Sequence, residues 1–227
     1  MQRKIIFGGI WLGFLLYATF FAPPDQPETL ELIKNLSTGN LTGINPLIIS
    51  LFNLMGIWPI IYTCILLADG RGQKIRAGIF VALSYAVGAF AILPYLAFRQ
   101  PNREFIGEKS LLIKIFDSRL LGIFLTVASG FLVFWGIKNG DWSNFLHQWQ
   151  TSKFIHVMSL DFCMLSLLFP TLVGDDMARR SMNNQLFILI TCLITCIPLF
   201  GPLIYLCGRS PLLTNQVEIL NDLQVGT

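Results

Sequence analysis

The stretch Lys153–Asp176, KFIHVMSLDFCMLSLLFPTLVGDD, decides how this chain is read. It is apolar over enough residues to cross a bilayer, whose ~30 Å hydrocarbon core takes about 20 helical residues. Well inside it, apart from the terminal Asp175 and Asp176, stands the carboxylate of Asp161, with His156 five residues earlier. An acid at membrane depth costs roughly 2.5–3.5 kcal/mol on insertion scales, so it calls for a partner or a task.

The rest of the chain agrees with a membrane reading. Of its 227 residues, 54% are hydrophobic and 13% charged, against about 25% charged in ordinary soluble domains. The principal partner is therefore the lipid bilayer. The net charge of +3 is small and spread along the chain, which argues against nucleic acid. Five cysteines (Cys64, Cys163, Cys192, Cys196, Cys207) fall within apolar runs and form no CxxC pair. Cys192 and Cys196 share a helical face, but no histidine or carboxylate joins them, so no metal site is expected.

Working outward, the apolar runs are about Ile5–Ala22, Pro46–Leu67, Ala77–Phe98, Leu120–Ile137, Phe154–Val173 and Phe187–Cys207. The expected fold class is all-α, a polytopic transmembrane helix bundle of about six spans. Gly9 and Gly13 form a GxxxG through which another helix can approach. Between the runs, Pro27–Leu36 reads as a short amphipathic helix, and Pro101–Ser118 as a charged amphipathic connector. Trp142, Phe145, Leu146 and Trp149, at helical spacing, mark an interfacial helix with aromatic anchors.

The two halves look alike. Asp69-Gly70-Arg71 followed by LPYLAFRQP, closing on Arg99 and Pro101, recurs as Asp175-Asp176 with Arg179-Arg180 followed by GPLIYLCGRSP, closing on Arg209 and Pro211. The closing arginines are 110 residues apart. The expected organisation is a three-span unit over 1–100, the connector 101–118, a second three-span unit over 119–211 and a polar tail over 212–227. Three spans per unit imply that the second is inverted relative to the first. On that topology Lys and Arg divide eight to eight between the two sides, so the positive-inside rule gives no orientation.

Asn53 and Asp161 fall at matching places in the repeat. Two readings stand side by side: a shared interior that binds a cation, a proton or a polar ligand, and hydrogen bonds that fix helix packing. His156 lies near the start of its span, where an imidazole can sit at the headgroups or ligate a metal or a chlorophyll magnesium. The loop groups Asp69, Arg71, Asp175, Asp176, Arg179 and Arg180 read by default as solvated charges, or else as ion pairs or a docking surface. No Ser-His-Asp order, HExxH, phosphate loop or catalytic carboxylate pair occurs, so no residue is assigned a catalytic role and a non-enzymatic protein is expected.

The segments LFNLMGIWP (Leu51–Pro59) and FIHVMSLDF (Phe154–Phe162), with DGRG and LPYLAFRQP, resemble an uncharacterised family of polytopic membrane proteins of cyanobacteria and chloroplasts. The resemblance covers about Ala22 to Pro211. It implies a thylakoid or plasma membrane of an oxygenic phototroph, and the lack of an Arg/Ser-rich leader before Met1–Lys4 fits a cyanobacterial copy. It brings no catalytic residues. Chlorophyll or carotenoid is compatible with that location, although no motif specifies either. The leading expectation is a protein that helps assemble or stabilise a pigment–protein complex, with photosynthetic complex subunits as partners. The alternative is a small secondary transporter or channel using the buried acid at an inverted-repeat interface.

Overall fold

The computed structural model describes residues 2–212 apart from Ile106 and Asn183; beyond Leu212, the tail expected over 212–227 lies outside the described residues. Every regular element among them is helical. Helix α1 (Gln2–Leu16) runs on through a widened π-type turn, Tyr17–Phe21, and the short α2 (Thr29–Thr38) follows. Helix α3 (Pro46–Asp69) starts where sequence dictates: the Asn45 side chain accepts from the Leu47 amide, and Pro46 occupies the first turn, where its missing N–H is not needed. Then come α4 (Ala77–Val87), α5 (Ala89–Phe98), α6 (Leu111–Phe116), α7 (Arg119–Asn139) and α8 (Trp142–Thr151). Helices α9 (Lys153–Leu168) and α10 (Pro170–Ala178) form one rod that is re-started by Pro170. Helices α11 (Gln185–Thr195) and α12 (Phe200–Gly208) end the order.

Four of these rods are long and apolar enough to cross a membrane: Gln2–Phe21, Pro46–Asp69, Arg119–Asn139 and Lys153–Ala178. The other two apolar runs, expected as spans, are helical hairpins. Helices α4 and α5 have 11 and 10 residues, and at 1.5 Å per residue each is about 16 Å long, half a hydrocarbon core. Between them Gly88 takes φ +51° and ψ −126°, a reversal that favours glycine. The feet of the hairpin meet. Gln73, ahead of α4, donates from Nε2 to the Gln100 carbonyl at 2.6 Å, and the Gln100 amide returns a bond to Gln73 Oε1 at 2.9 Å. The second hairpin reverses at Pro198–Leu199, with Leu199 at φ +62°. Its feet are tied by Arg180, which donates to the Ser210 carbonyl. Where six spans were expected, four rods are long and apolar enough to cross and two runs fold as short hairpins whose feet lie at one end. An apolar run of 20 residues with a glycine or proline in it looks the same in either case.

Helix α3 is the centre of the bundle. Its Trp58, Ile61, Tyr62 and Ile65 are buried among Leu165, Phe169 and Leu172 of the α9–α10 rod. On another side α7 comes close: a Cβ added at Gly136 would stand 2.4 Å from Ser50 Oγ, whose hydroxyl donates to the Leu132 carbonyl at 2.8 Å. Gly9 and Gly13, expected as a packing face, have nothing within 4 Å of a built Cβ. The outer face of α7, including Phe124, Val127, Phe131 and Phe134, is exposed and apolar, as lipid contact demands.

The hairpins also sort the charges. Of the sixteen Lys and Arg, all but Lys34, Lys138 and Lys153 belong to segments at the end that holds Asp69 and Asp176. A cysteine scan tests this arrangement. In a cysteine-free background, Lys74→Cys and Arg103→Cys should react with an impermeant maleimide from the same side of the membrane. Labelling from opposite sides would mean that α4–α5 crosses.

Candidate functional site

Asp161 sits two turns into α9 and meets the tip of the first hairpin. Its Oδ1 accepts from the Ala89 amide at 2.8 Å. That amide is the first of α5 and has no partner within its own helix. Ala89 is fully buried, so a side chain takes the place of water. The carboxylate lies directly on Gly88: a Cβ built there would come 1.7 Å from Oδ2. Glycine is needed at this point for its φ and for the space. The positive end of the α5 dipole faces the acid, which offsets part of the cost of its depth.

Above this contact opens a cavity of about 500 Å³. Asp161 forms part of its floor with Ser84 and Gly88, the walls carry Phe52, Met55, Tyr85, Phe90, Phe154, Val157 and Met158, and Ala18, Asp25, Thr29 and Lys153 stand at its mouth. The mouth lies at the end opposite Asp69 and Asp176. There Lys153 Nζ pairs with Asp25 at 3.1 Å, a partly exposed bridge.

Asn53 does not join Asp161. It is exposed, and its Nδ2 donates to the Ile49 carbonyl of its own helix at 2.8 Å. The pairing expected from the repeat offset is therefore not formed. His156 is buried and engaged at both nitrogens. Nδ1 lies 2.9 Å from the Trp149 carbonyl, which can only accept, so Nδ1 carries the proton. Nε2 lies 2.9 Å from the Tyr17 hydroxyl, which donates to it when the ring is neutral. The imidazole also stacks near Trp149, with ring centroids 4.5 Å apart. It ties α1 and α8 to α9 and presents no free nitrogen to a metal or to chlorophyll.

Apart from Arg71, the loop charges are not solvated. Asp69, Asp176, Arg179 and Arg180 are all buried, and Asp175 is nearly so. Asp69 receives the Tyr95 hydroxyl at 2.6 Å, Arg99 Nε at 2.7 Å and Arg99 Nη2, with Arg179 Nη1 at 2.9 Å. Asp176 receives the Tyr205 hydroxyl at 2.6 Å, Arg180 Nε at 2.9 Å and Arg179 Nη2 at 3.1 Å, with Arg209 Nη1 at 3.6 Å. Arg179 therefore bridges the two halves of the chain. Arg99 also reaches Asp175 at 2.7 Å, and Arg180 reaches Asp117 at 2.7 Å. Burial opposes the charge on Arg180, but the Asp176 and Asp117 carboxylates outweigh it and hold the guanidinium above its ordinary pKa. Among the described residues the Arg71 side chain stands outside this network and reaches the Glu108 carbonyl at 3.5 Å. Tyr95, Tyr205 and Asp117 were not singled out by sequence, although both tyrosines stand in the repeated strings that end at Arg99 and Arg209.

No protein-family model, curated protein or solved structure matches the chain.

Stability measurements separate the two polar systems. Unfolding in detergent should show Asp176→Ala destabilised by about 3–5 kcal/mol, because it leaves buried guanidinium groups uncompensated. Asp161→Ala should cost about 1–3 kcal/mol by orphaning the Ala89 amide, and Asp161→Asn, which keeps an acceptor, clearly less. Equal losses for Asn and Ala at 161 would show that the hairpin tip does not need the acceptor.

Proposed function

We propose that this chain is a small, non-enzymatic membrane carrier that takes a ligand from one face of the bilayer into the Asp161 cavity. The observation that carries the reading is a carboxylate on the floor of an open cavity, at the tip of a hairpin of two short apolar helices. Discontinuous helices whose ends meet at depth are the usual frame of transporter sites, because the half-helix end and the side chain facing it form a polar point inside an apolar wall. An ionisable residue facing a cavity at that depth is the usual substrate or coupling group. Beneath it, four buried arginines matched to Asp69, Asp117, Asp175 and Asp176 support a side that is closed in this state.

The sets Asp69/Tyr95/Arg99 and Asp176/Tyr205/Arg209 support a repeat of two units running in the same sense, each with two crossing rods and one hairpin. This replaces the inverted arrangement that six spans implied. The concentration of Lys and Arg at the network end favours placing that end in the cytoplasm, or its equivalent, with the cavity mouth facing the other compartment.

A second reading, assistance to a pigment–protein complex in a photosynthetic membrane, rests on the resemblance carried by Leu51–Pro59 and Phe154–Phe162. Purification from native membranes should then return photosystem or cytochrome-complex subunits.

Uptake into proteoliposomes tests the carrier. Among radiolabelled cationic, neutral and anionic small molecules, at least one should accumulate with the wild type and fall by about tenfold or more in Asp161→Asn. Uptake no greater than in protein-free vesicles for every probe contradicts it.

A further inference from the structure

We infer that the Asp161 cavity takes an organic cation, an ammonium-type head bearing apolar substituents. This rests on reading the cavity as a ligand site and adds the charge and shape of what enters it.

Charge comes first. The titratable groups around the cavity are Asp25, Tyr85, Lys153 and Asp161. Lys153 and Asp25 neutralise each other at the mouth, 3.1 Å apart. Asp161 has one oxygen bonded to the Ala89 amide and no cationic side chain opposite it. When ionised, Asp161 gives the cavity a negative charge with no countercharge among the lining side chains but the Lys153 already paired at the mouth, a site that repels an anion and that a cation completes.

The walls then choose among cations. Hard metal ions take six or more oxygen ligands. Here one carboxylate stands among apolar side chains, and among the described residues no three His, Cys, Asp or Glu gather to hold a metal. Four aromatic rings, Phe52, Tyr85, Phe90 and Phe154, line the same space. Phe90 is fixed by stacking on Phe14, with centroids 4.3 Å apart and planes 8° apart. Phe52 and Phe154 meet at 6.5 Å with a 53° tilt, so that they present an angled pair of faces. Aromatic faces with a nearby carboxylate are the chemistry that recognises alkylated ammonium groups.

Size and access agree. A cavity of about 500 Å³ falls in the range of small-molecule sites, about 300–1,000 Å³. A shallow groove on the outside shares Ala18, Val87, Phe90 and Lys153 with it and reaches Trp11 and Leu15 on α1. That gives a lateral way in for a molecule that itself partitions into lipid.

The test reads occupancy independently of charge. Val157 lines the cavity, so Val157→Cys in a cysteine-free background reports its occupant by protection from a maleimide. The probes are benzyltrimethylammonium, its neutral isostere neopentylbenzene and the anion benzylsulfonate. Protection by the cation alone is expected, with the half-protecting concentration raised about tenfold or more by Asp161→Asn. Phe154→Leu, which keeps an apolar wall but removes a ring, should raise it about two- to fivefold. Protection by the neutral or anionic probe that is indifferent to Asp161→Asn overturns the cation assignment and leaves the cavity as a ligand site. Protection by none of the three overturns the assignment, and absence of uptake for every probe in the proteoliposomes then removes the carrier reading as well.

Discussion

A backbone amide at the start of a buried helix has neither a preceding turn nor water to turn to, and in this protein Asp161 meets that need for Ala89. The contact explains two oddities together. It lets α4–α5 fold back after two short helices, and it gives an acid in an apolar rod a donor and a favourable dipole. The second hairpin handles its tip differently. The Phe200 amide reaches the Pro198 carbonyl at 2.7 Å and the Gly201 amide reaches Ile197 at 3.0 Å, so the turn closes on its own backbone. The hairpins are anchored alike at their feet and differ at their tips, and the cavity lies at the tip that meets the acid.

The feet of the hairpins are held by chemistry of another kind. Each returns a tyrosine and an arginine to an aspartate at the end of a crossing rod, Tyr95 and Arg99 to Asp69, Tyr205 and Arg209 to Asp176. Buried charges survive only when matched in number and hydrogen-bonded. Here four arginines face four aspartates, and Arg179 contacts both central carboxylates. The network fills the charged end with buried ion pairs, whereas the opposite end carries the partly exposed Lys153–Asp25 pair.

Much of this was legible in the sequence and some was not, for identifiable reasons. Composition and the long apolar runs gave the all-helical membrane class. Asp161 stood out because an acid in such a run is costly. The repeated strings ending at Arg99 and Arg209 pointed to the right residues, but without a partner list they read as landmarks, and the nearby charges read as solvated. The hairpins were hidden, since Gly88 and Pro198 within apolar runs look like packing and kink residues unless the feet are known to meet. Once the feet are joined, the eight-to-eight division of basic residues disappears and nearly all of them gather at one end. Asn53 misled through its spacing alone: matching sequence offsets placed it beside Asp161, whereas its helical face turns it outward.

The most direct test of the account is the state of the Ala89 amide. In protein labelled with 15N-alanine, that amide should exchange slowly with solvent in the wild type and in Asp161→Asn, and quickly in Asp161→Ala. An Ala89 amide that exchanges in the wild type as freely as one in an exposed loop would contradict a hairpin tip sealed by Asp161.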